Sequence, residues 1–248
     1  MNGSLFLIPN TLGVREDAQD PLAHIIPQTV QAMTAQLGFY VAENAKTTRA
    51  YLKLLQQTHA LNKPIQEIQI EELNINTPEA KLPQLLQPLL AGHDVGLISE
   101  AGVPAVADPG ANLVRLAHQH GIKVRPLVGP SSLLLALMAS GLNGQSFAFN
   151  GYLPTDASLR IKRIKELEQR SKKEKQTQLC IETPYRNLAM LEALAQHCEA
   201  DTLICVATDL TLETESIVSL PAREWKKRLS AQQAPDFHKK PSVFLFLA

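Results

Sequence analysis

Short runs rich in apolar residues alternate with longer stretches of helical periodicity along the first part of the chain. Residues 5–8, 37–42, 95–99 and 123–128 read as strands. Helical patterns lie between them, at about 27–36, 46–57, 82–91 and 112–120. Pro83 and Pro88 predict that the third of these helices is kinked or broken. Gly121, free to take a positive φ, supplies an end for the fourth. This alternation predicts a mostly parallel α/β sheet. Residues 131–140 are apolar on every side, the pattern of a helix buried all round. The sequence Gly141-Leu-Asn-Gly144 then breaks the pattern and sets a domain boundary there, giving α/β domains at 1–143 and 144–248. The second half has more β character. Strands are predicted at 146–150, 178–182, 202–208, 215–220 and 242–247, with helices at 160–175 and 187–198 and a short one at 225–229.

A length of 248 residues with 45% hydrophobic content supports one large or two modest cores. Aromatics are only 5%, so aliphatic side chains do most of the packing. The 24 basic and 24 acidic residues cancel, which argues against a uniformly basic nucleic-acid binder and leaves room for a local basic patch. Cys180, Cys198 and Cys205 match no zinc spacing and read as buried thiols in a reducing compartment. With no leader pattern and no long apolar span, the expectation is a cytoplasmic protein without a membrane segment. No histidine spacing points to a metal.

Two segments carry the strongest chemical signal. Ser99-Glu-Ala-Gly-Val-Pro104 continues to Asp108-Pro-Gly110, and Val128-Gly-Pro-Ser-Ser132 follows later. Each follows an apolar run and leads into a helical pattern, the position where open α/β sheets bind nucleotide-like ligands. Glu100 is a candidate acceptor for ribose hydroxyls. A tight turn capped by Asp108 is the structural alternative. Ser131 or Ser132 either caps a helix or holds an anionic ligand group. Neither Gly-x-Gly-x-x-Gly nor Gly-x-x-x-x-Gly-Lys-Ser/Thr occurs, which disfavours an ordinary dinucleotide fold and a phosphate-loop NTPase. No Gly-x-Ser-x-Gly elbow supports a hydrolase. Glu182-Thr-Pro-Tyr-Arg186 and Thr208-Asp-Leu-Thr-Leu-Glu-Thr-Glu215 follow later strands and serve either as turns or as site loops. The basic residues crowded between 160 and 175 form a solvated helix face or a phosphate-contacting surface.

Together these segments resemble the tetrapyrrole methylase superfamily of S-adenosylmethionine (SAM) methyltransferases over nearly the whole chain. The branch most similar is that of the ribosomal small-subunit methyltransferases, which methylate a cytidine 2′-hydroxyl in rRNA. The family's Ser-Asp-Ala-Gly-Thr-Pro and Asp-Pro-Gly correspond to Ser99-Glu-Ala-Gly-Val-Pro104 and Asp108-Pro-Gly110. Its Pro-Gly-Pro-Ser-Ala and Ser-Gly-Leu correspond to Val128-Gly-Pro-Ser-Ser132 and Ser140-Gly-Leu142. Phe149-Asn-Gly-Tyr-Leu-Pro154, Ile181-Glu-Thr-Pro-Tyr-Arg186 and Ala207-Thr-Asp-Leu-Thr211 follow the family's order and spacing. Departures fall at Asn10-Thr-Leu-Gly-Val-Arg15, Ala42-Glu-Asn-Ala-Lys46, Glu72-Leu-Asn-Ile-Asn-Thr-Pro78 and Lys240-Pro-Ser242. The cofactor-side motifs are thus matched better than those toward the acceptor.

The resemblance implies two α/β domains with SAM in the cleft between them. It implies cofactor contacts from Leu12, Glu100, Ala101, Gly102, Ala105, Ser131, Ser132, Glu182 and Leu210, and a homodimer. Glu43 and Tyr185 are candidate proton acceptors or hydrogen-bond partners for a ribose hydroxyl, and Glu43 equally suits a structural role toward backbone amides. Lys46 and Arg186 are candidates for contact with RNA phosphate, the partner being rRNA or the small ribosomal subunit. Methylation of a small molecule such as a tetrapyrrole, and non-catalytic SAM binding, stand as alternatives.

Overall fold

The computed structural model describes residues 1–13 and 22–248 of the chain. They form two compact units, Met1–Ser131 and Ser132–Ala248. The first is built on five parallel strands: β1 (Ser4–Ile8), β2 (Phe39–Ala42), β3 (Gln69–Glu72), β4 (Val95–Ile98) and β5 (Lys123–Pro126). Their order in the sheet is β3-β2-β4-β1-β5. The central strands β1 and β4 are apolar runs because both of their faces are covered. The edge strand β3 reads Gln-Ile-Glu-Glu and is mostly exposed. Those carboxylates blunt an open sheet edge and also hide the strand from a hydrophobic pattern search.

Helices α1 (Gln28–Ala35) and α2 (Ala45–Leu55) bury Val30, Tyr51, Leu52 and Leu55 against Phe6, Ile8 and Tyr40 on one face. On the other face, α3 (Leu82–Leu85), α4 (Gln87–Leu90) and α5 (Ala111–Gln119) place Leu85, Leu89 and Leu113 against Leu5, Val41 and Leu97. Residues 82–91 are two short helices, each with proline in its first turn, as the two prolines predict. Helix α2 starts where the Asn44 side chain accepts the N–H groups of Lys46 and Thr47, at 2.9 and 3.3 Å. Strand β2 leads through α2 outward to β3, whereas β4 leads through α5 to the opposite edge at β5. Their connections diverge onto opposite faces. The carboxyl ends of β2 and β4 therefore flank a topological switch point, where open sheets leave a crevice.

The second unit has a mixed sheet of β6 (Phe147–Tyr152), β7 (Thr177–Glu182), β8 (Leu203–Thr208), β9 (Ser216–Pro221) and β10 (Ser242–Leu247), ordered β6-β7-β10-β8-β9. Only β6 and β7 pair in parallel. Helices α7 (Ala157–Glu174), α8 (Asn187–His197) and α9 (Ala222–Ser230) bury Ile164, Leu191, Leu194 and Trp225 against Ile204, Val206, Phe244 and Phe246. The Trp225 indole N–H donates to the Ile204 carbonyl at 2.8 Å. Helix α6 (Ser132–Ser140) packs against β8, β9 and β10. It therefore groups with the second unit, whereas the sequence pattern set the break after Asn143.

Helix α6 also departs from the expectation of burial all round. Ala136, Leu137 and Ser140 are buried, but Leu134 is 55% and Met138 79% exposed. All three cysteines are free. Burial pushes the thiols of Cys180 and Cys205 up to about 12, with the nearby Glu182 charge adding to the effect at Cys180. Among the described residues, no helix is long and apolar enough to cross a membrane.

Candidate functional site

Three loops leave the carboxyl edge of the first sheet and are tied together at its middle. Asn10, just past β1, is buried and makes most of the ties. Its side-chain amide donates to the carbonyls of Ser99 and Glu100, at 3.1 and 2.9 Å, and its Oδ1 accepts the Thr11 N–H at 2.8 Å. Its backbone N–H donates to the Gly102 carbonyl at 2.8 Å. The loop after β5 comes equally close, since a Cβ on Gly129 would lie 2.1 Å from the Pro9 Cβ. A Cβ on Gly102 would meet Leu12 Cδ2 at 3.3 Å, and Gly102 itself sits at φ +65°. Val14 and Arg15, which end the first of these loop motifs, lie outside the described residues.

The β4 loop is under backbone strain. Ala105 and Ala107 hold φ of 66° and 63°, a region that costs an L-residue roughly 1–2 kcal/mol. Strain of this kind persists where surrounding structure enforces it, and it clusters at ligand-binding loops. Glu43, at the end of β2, reaches across the switch point and accepts the Glu100 N–H through Oε2 at 3.0 Å. Its structural role toward a backbone amide is therefore realised. Its Oε1 has no partner among the described residues.

Asp108 completes an acidic group with Glu43 and Glu100. Its carboxyl is pushed up to about 6, first by burial and then by the negative charge of Glu43, with a smaller push from Glu100. The Ser99 hydroxyl faces it and offsets part of the rise without reaching good hydrogen-bond geometry. A surface cavity of about 320 Å³ opens beside Asp108, lined also by Leu73, Asn74, Ile75, Thr77 and Asn112. The first unit thus combines small residues held in a strained loop with carboxylates able to accept hydroxyl or ammonium protons. A nucleoside bearing both groups needs that combination.

The sequence-predicted residues divide between the two units. Leu12, Glu43, Lys46, Glu100, Ala101, Gly102, Ala105 and Ser131 lie in the first, around the loops just described. Lys46 is exposed at the start of α2, with no ion-pair partner among the described residues. Ser132, Glu182, Tyr185, Arg186 and Leu210 lie in the second. Strands β6, β7 and β8 run in one direction, because β10 is antiparallel to both β7 and β8 while β6 parallels β7. Residues 153–156, 182–186 and 208–211 therefore gather at one edge of that sheet.

At this edge Glu182 is 5% exposed. Its Oε1 accepts the Thr183 N–H at 2.6 Å and the Arg186 guanidinium at 2.5 and 3.0 Å. Glu182 Oε2 is buried without a partner among the described residues, as is the Thr211 hydroxyl beside the buried Leu210. Asp209 and Thr211 repeat the strained pattern, with φ of 49° and 75°. Arg186 spends its guanidinium on Glu182, so it acts first as a positioning group for that carboxylate. Tyr185 is 74% exposed and meets only the edge of the His238 ring, centroids 6.4 Å apart. The divergent Lys240-Pro-Ser242 segment is structural here. Asn187 donates to the carbonyls of Phe237 and Lys240 at 2.9 and 2.8 Å, and Lys240 pairs with Asp236 and Asp209.

Sequence reasoning left Asn10 without a role, yet it ties the first two loops. Its polarity directly after an apolar strand was the available signal. The structural alternative, a turn capped by Asp108, is not realised, since α5 starts after Gly110 without a side-chain cap, and the fold brings Asp108 beside Glu43 instead.

Residues 29–225 match the family described as Tetrapyrrole (Corrin/Porphyrin) Methylases. The chain is 34% identical over 152 residues to a ribosomal RNA small subunit methyltransferase I from Vibrio cholerae serotype O1, covering 61% of this chain and 51% of that one. It is 30% identical over 234 residues to the protein of the same name from Pseudomonas aeruginosa, covering 93% of this chain and 76% of that one. Among solved structures, the methyltransferase CobJ matches with a TM-score of 0.60 at 18% identity, covering 99% of this chain and 94% of that one. That last likeness speaks for the fold.

Proposed function

This chain belongs to the tetrapyrrole (corrin/porphyrin) methylase family, and on that premise we propose that it transfers the methyl group of SAM to a ribose 2′-hydroxyl of small-subunit rRNA. The small-subunit rRNA methyltransferases to which it is similar support this acceptor. The observation that carries the cofactor side is the strained β4 loop, tied by Asn10 and Glu43 at the switch point of a parallel sheet.

SAM, when bound, supplies an activated methyl group and its own thioether leaving group. The fit rests on features of the loops themselves. Gly102 and Ala105 keep side-chain bulk away from the loop, and Leu12 lies against Gly102. Glu100 and Ala101 continue the same turn, with Ser131 at the end of the β5 loop. In the second unit, Glu182 Oε2 and the Thr211 hydroxyl beside Leu210 offer polar groups with no hydrogen-bond partner among the described residues, and Ser132 opens α6. A buried carboxylate oxygen left unpaired is costly unless a ligand donor meets it.

The remaining work falls to this chain's own groups. Positioning the acceptor and excluding water lowers such a barrier by roughly 7–11 kcal/mol. The hydroxyl must lose its proton near the transition state, and Glu43 Oε1 is the free carboxylate oxygen suited to accept it. Tyr185 serves as an alternative hydrogen-bond partner, and Lys46 as a contact for phosphate. The exposed Leu134 and Met138, one helical turn apart on α6, offer apolar surface for a second copy of the chain to cover. The enzyme is read as a cytoplasmic homodimer.

A survey of modified nucleosides in small-subunit rRNA from a strain lacking the gene tests the acceptor. The expected result is loss of one 2′-O-methylated nucleoside, restored by the wild-type chain and not by Gly102→Arg. An unchanged rRNA inventory would remove the rRNA reading in favour of a small-molecule acceptor or of binding without turnover.

A further inference from the structure

Helix α7 has a charge distribution that its own packing does not require. Ile164, Leu167, Glu168 and Ser171 face the core. The carboxylates Glu166 and Glu174 lie on one exposed flank, paired with Arg163 at 3.3 Å and Arg170 at 3.2 Å. Ser158, Lys162, Lys165, Gln169 and Lys172, spaced three and four residues apart, share a neighbouring face, with Lys173 at its border and Glu166, four residues after Lys162, just beyond. Lys172 pairs with Glu199, from the connection between α8 and β8, at 2.8 Å. Lys162, Lys165 and Lys173 are exposed and have no carboxylate partner among the described residues. A helix evolved only for solubility gains from interleaved signs, because like charges at this spacing repel. Here three lysines carry charge that no carboxylate of the described residues pairs, in a chain whose net charge is zero.

The placement of this flank is also informative. Strand β6 ends at the edge where β7 and β8 end, and α7 starts there, with Asp156 accepting the Leu159 N–H at 2.8 Å. The row of lysines therefore begins beside the Glu182 and Asp209 loops and runs away from them. From Lys162 to Lys173 it spans roughly 16 Å at the rise of an α-helix. We infer that this flank of α7 is a docking surface for the phosphate backbone of an RNA strand, through Lys162, Lys165 and Lys173. The inference rests on the rRNA reading above and adds the surface that holds the substrate outside the reacting nucleotide. Contacts of this kind position the nucleic acid without reading its sequence. Backbone contacts of this type make affinity fall steeply with salt.

The test compares the full-length chain with the triple variant Lys162→Gln/Lys165→Gln/Lys173→Gln. Affinity for naked small-subunit rRNA and for intact small subunits is measured across a salt series. A second variant, Arg163→Gln/Arg170→Gln, removes charge from the carboxylate-paired flank. Circular dichroism and the SAM-induced melting shift, expected unchanged in both, establish that each is folded. The triple variant should lower the magnitude of the log–log salt slope for rRNA by about 2, near 0.7 per lost single-strand phosphate contact, while the double variant leaves it unchanged. Equal slopes for wild type and triple variant overturn this surface alone. Equal losses in both variants overturn the flank assignment. Weakened binding to subunits but not to naked rRNA identifies a ribosomal protein as the occupant and also overturns it. A wild-type chain with no salt-sensitive affinity for either target overturns this inference together with the rRNA reading.

Discussion

At the scale of single residues, the site depends on groups whose ordinary preferences have been overridden. Asp108 is the clearest case. Its folded carboxyl titrates near 6, above the usual carboxylate value, because burial and the charges of Glu43 and Glu100 oppose its ionisation. Between about pH 4 and 6 the folded state binds more protons at this group than the unfolded chain does. This contribution to stability is complete below the unfolded value and is lost as pH rises through the folded one. Asp108→Asn should therefore flatten the dependence of melting temperature on pH in that window and raise stability at neutral pH. Thermal denaturation from pH 4 to 8 checks this, and a variant that parallels the wild type throughout would remove the assignment. Gly102 is the second case. At φ +65°, with Leu12 Cδ2 3.3 Å from where a Cβ would sit, any side chain is strained there and must push Leu12 aside. Gly102→Arg should abolish the SAM-induced melting shift, measured by differential scanning fluorimetry, and retain a cooperative transition.

At the scale of elements, buried polar groups fasten loops that apolar packing cannot hold. The Glu168 carboxylate, on the inner face of α7, accepts the Glu199 N–H at 2.7 Å and the Thr202 hydroxyl at 2.6 Å. It thereby fixes the turn between α8 and β8. Glu168→Ala strands both donors and should destabilise the protein by about 1–3 kcal/mol in urea denaturation, whereas Glu168→Gln keeps an acceptor and costs less. An alanine variant as stable as wild type would show that water replaces the carboxylate. The elements also show what the sequence makes legible. The apolar runs at β1 and β4 and the proline-broken α3 and α4 can be read from one dimension, because burial on both faces and a missing N–H leave local marks. Strand β3 cannot, because an edge strand needs polar residues such as Glu71 and Glu72. Helix α6 reads as buried throughout, since an apolar pattern does not tell a sheet-facing side from one left exposed. The switch-point loops are legible as small-residue turns. Their ties through Asn10 and Glu43 are not, because a hydrogen bond between residues about 90 positions apart has no local signature.

At the scale of the whole molecule, a parallel and a mixed sheet each place their strained loops at one edge, with Ala105 and Ala107 in one unit and Asp209 and Thr211 in the other. The chain belongs to the tetrapyrrole methylase family, and the function proposed above assigns these loops to SAM and its acceptor. Ligand that binds only the folded state raises stability by mass action, about 2.7 kcal/mol at a hundredfold excess over Kd. SAM or its demethylated product should raise the melting temperature accordingly, and an inert melting curve at millimolar ligand would speak against the cofactor. Transfer to rRNA is measured with purified chain, SAM carrying a labelled methyl group, and small ribosomal subunits from cells lacking the gene. Label is expected in one ribose 2′-O-methylated nucleoside after digestion of the rRNA, and none with Gly102→Arg. No label in intact subunits or in naked rRNA, from a chain whose melting temperature SAM does raise, would contradict that transfer.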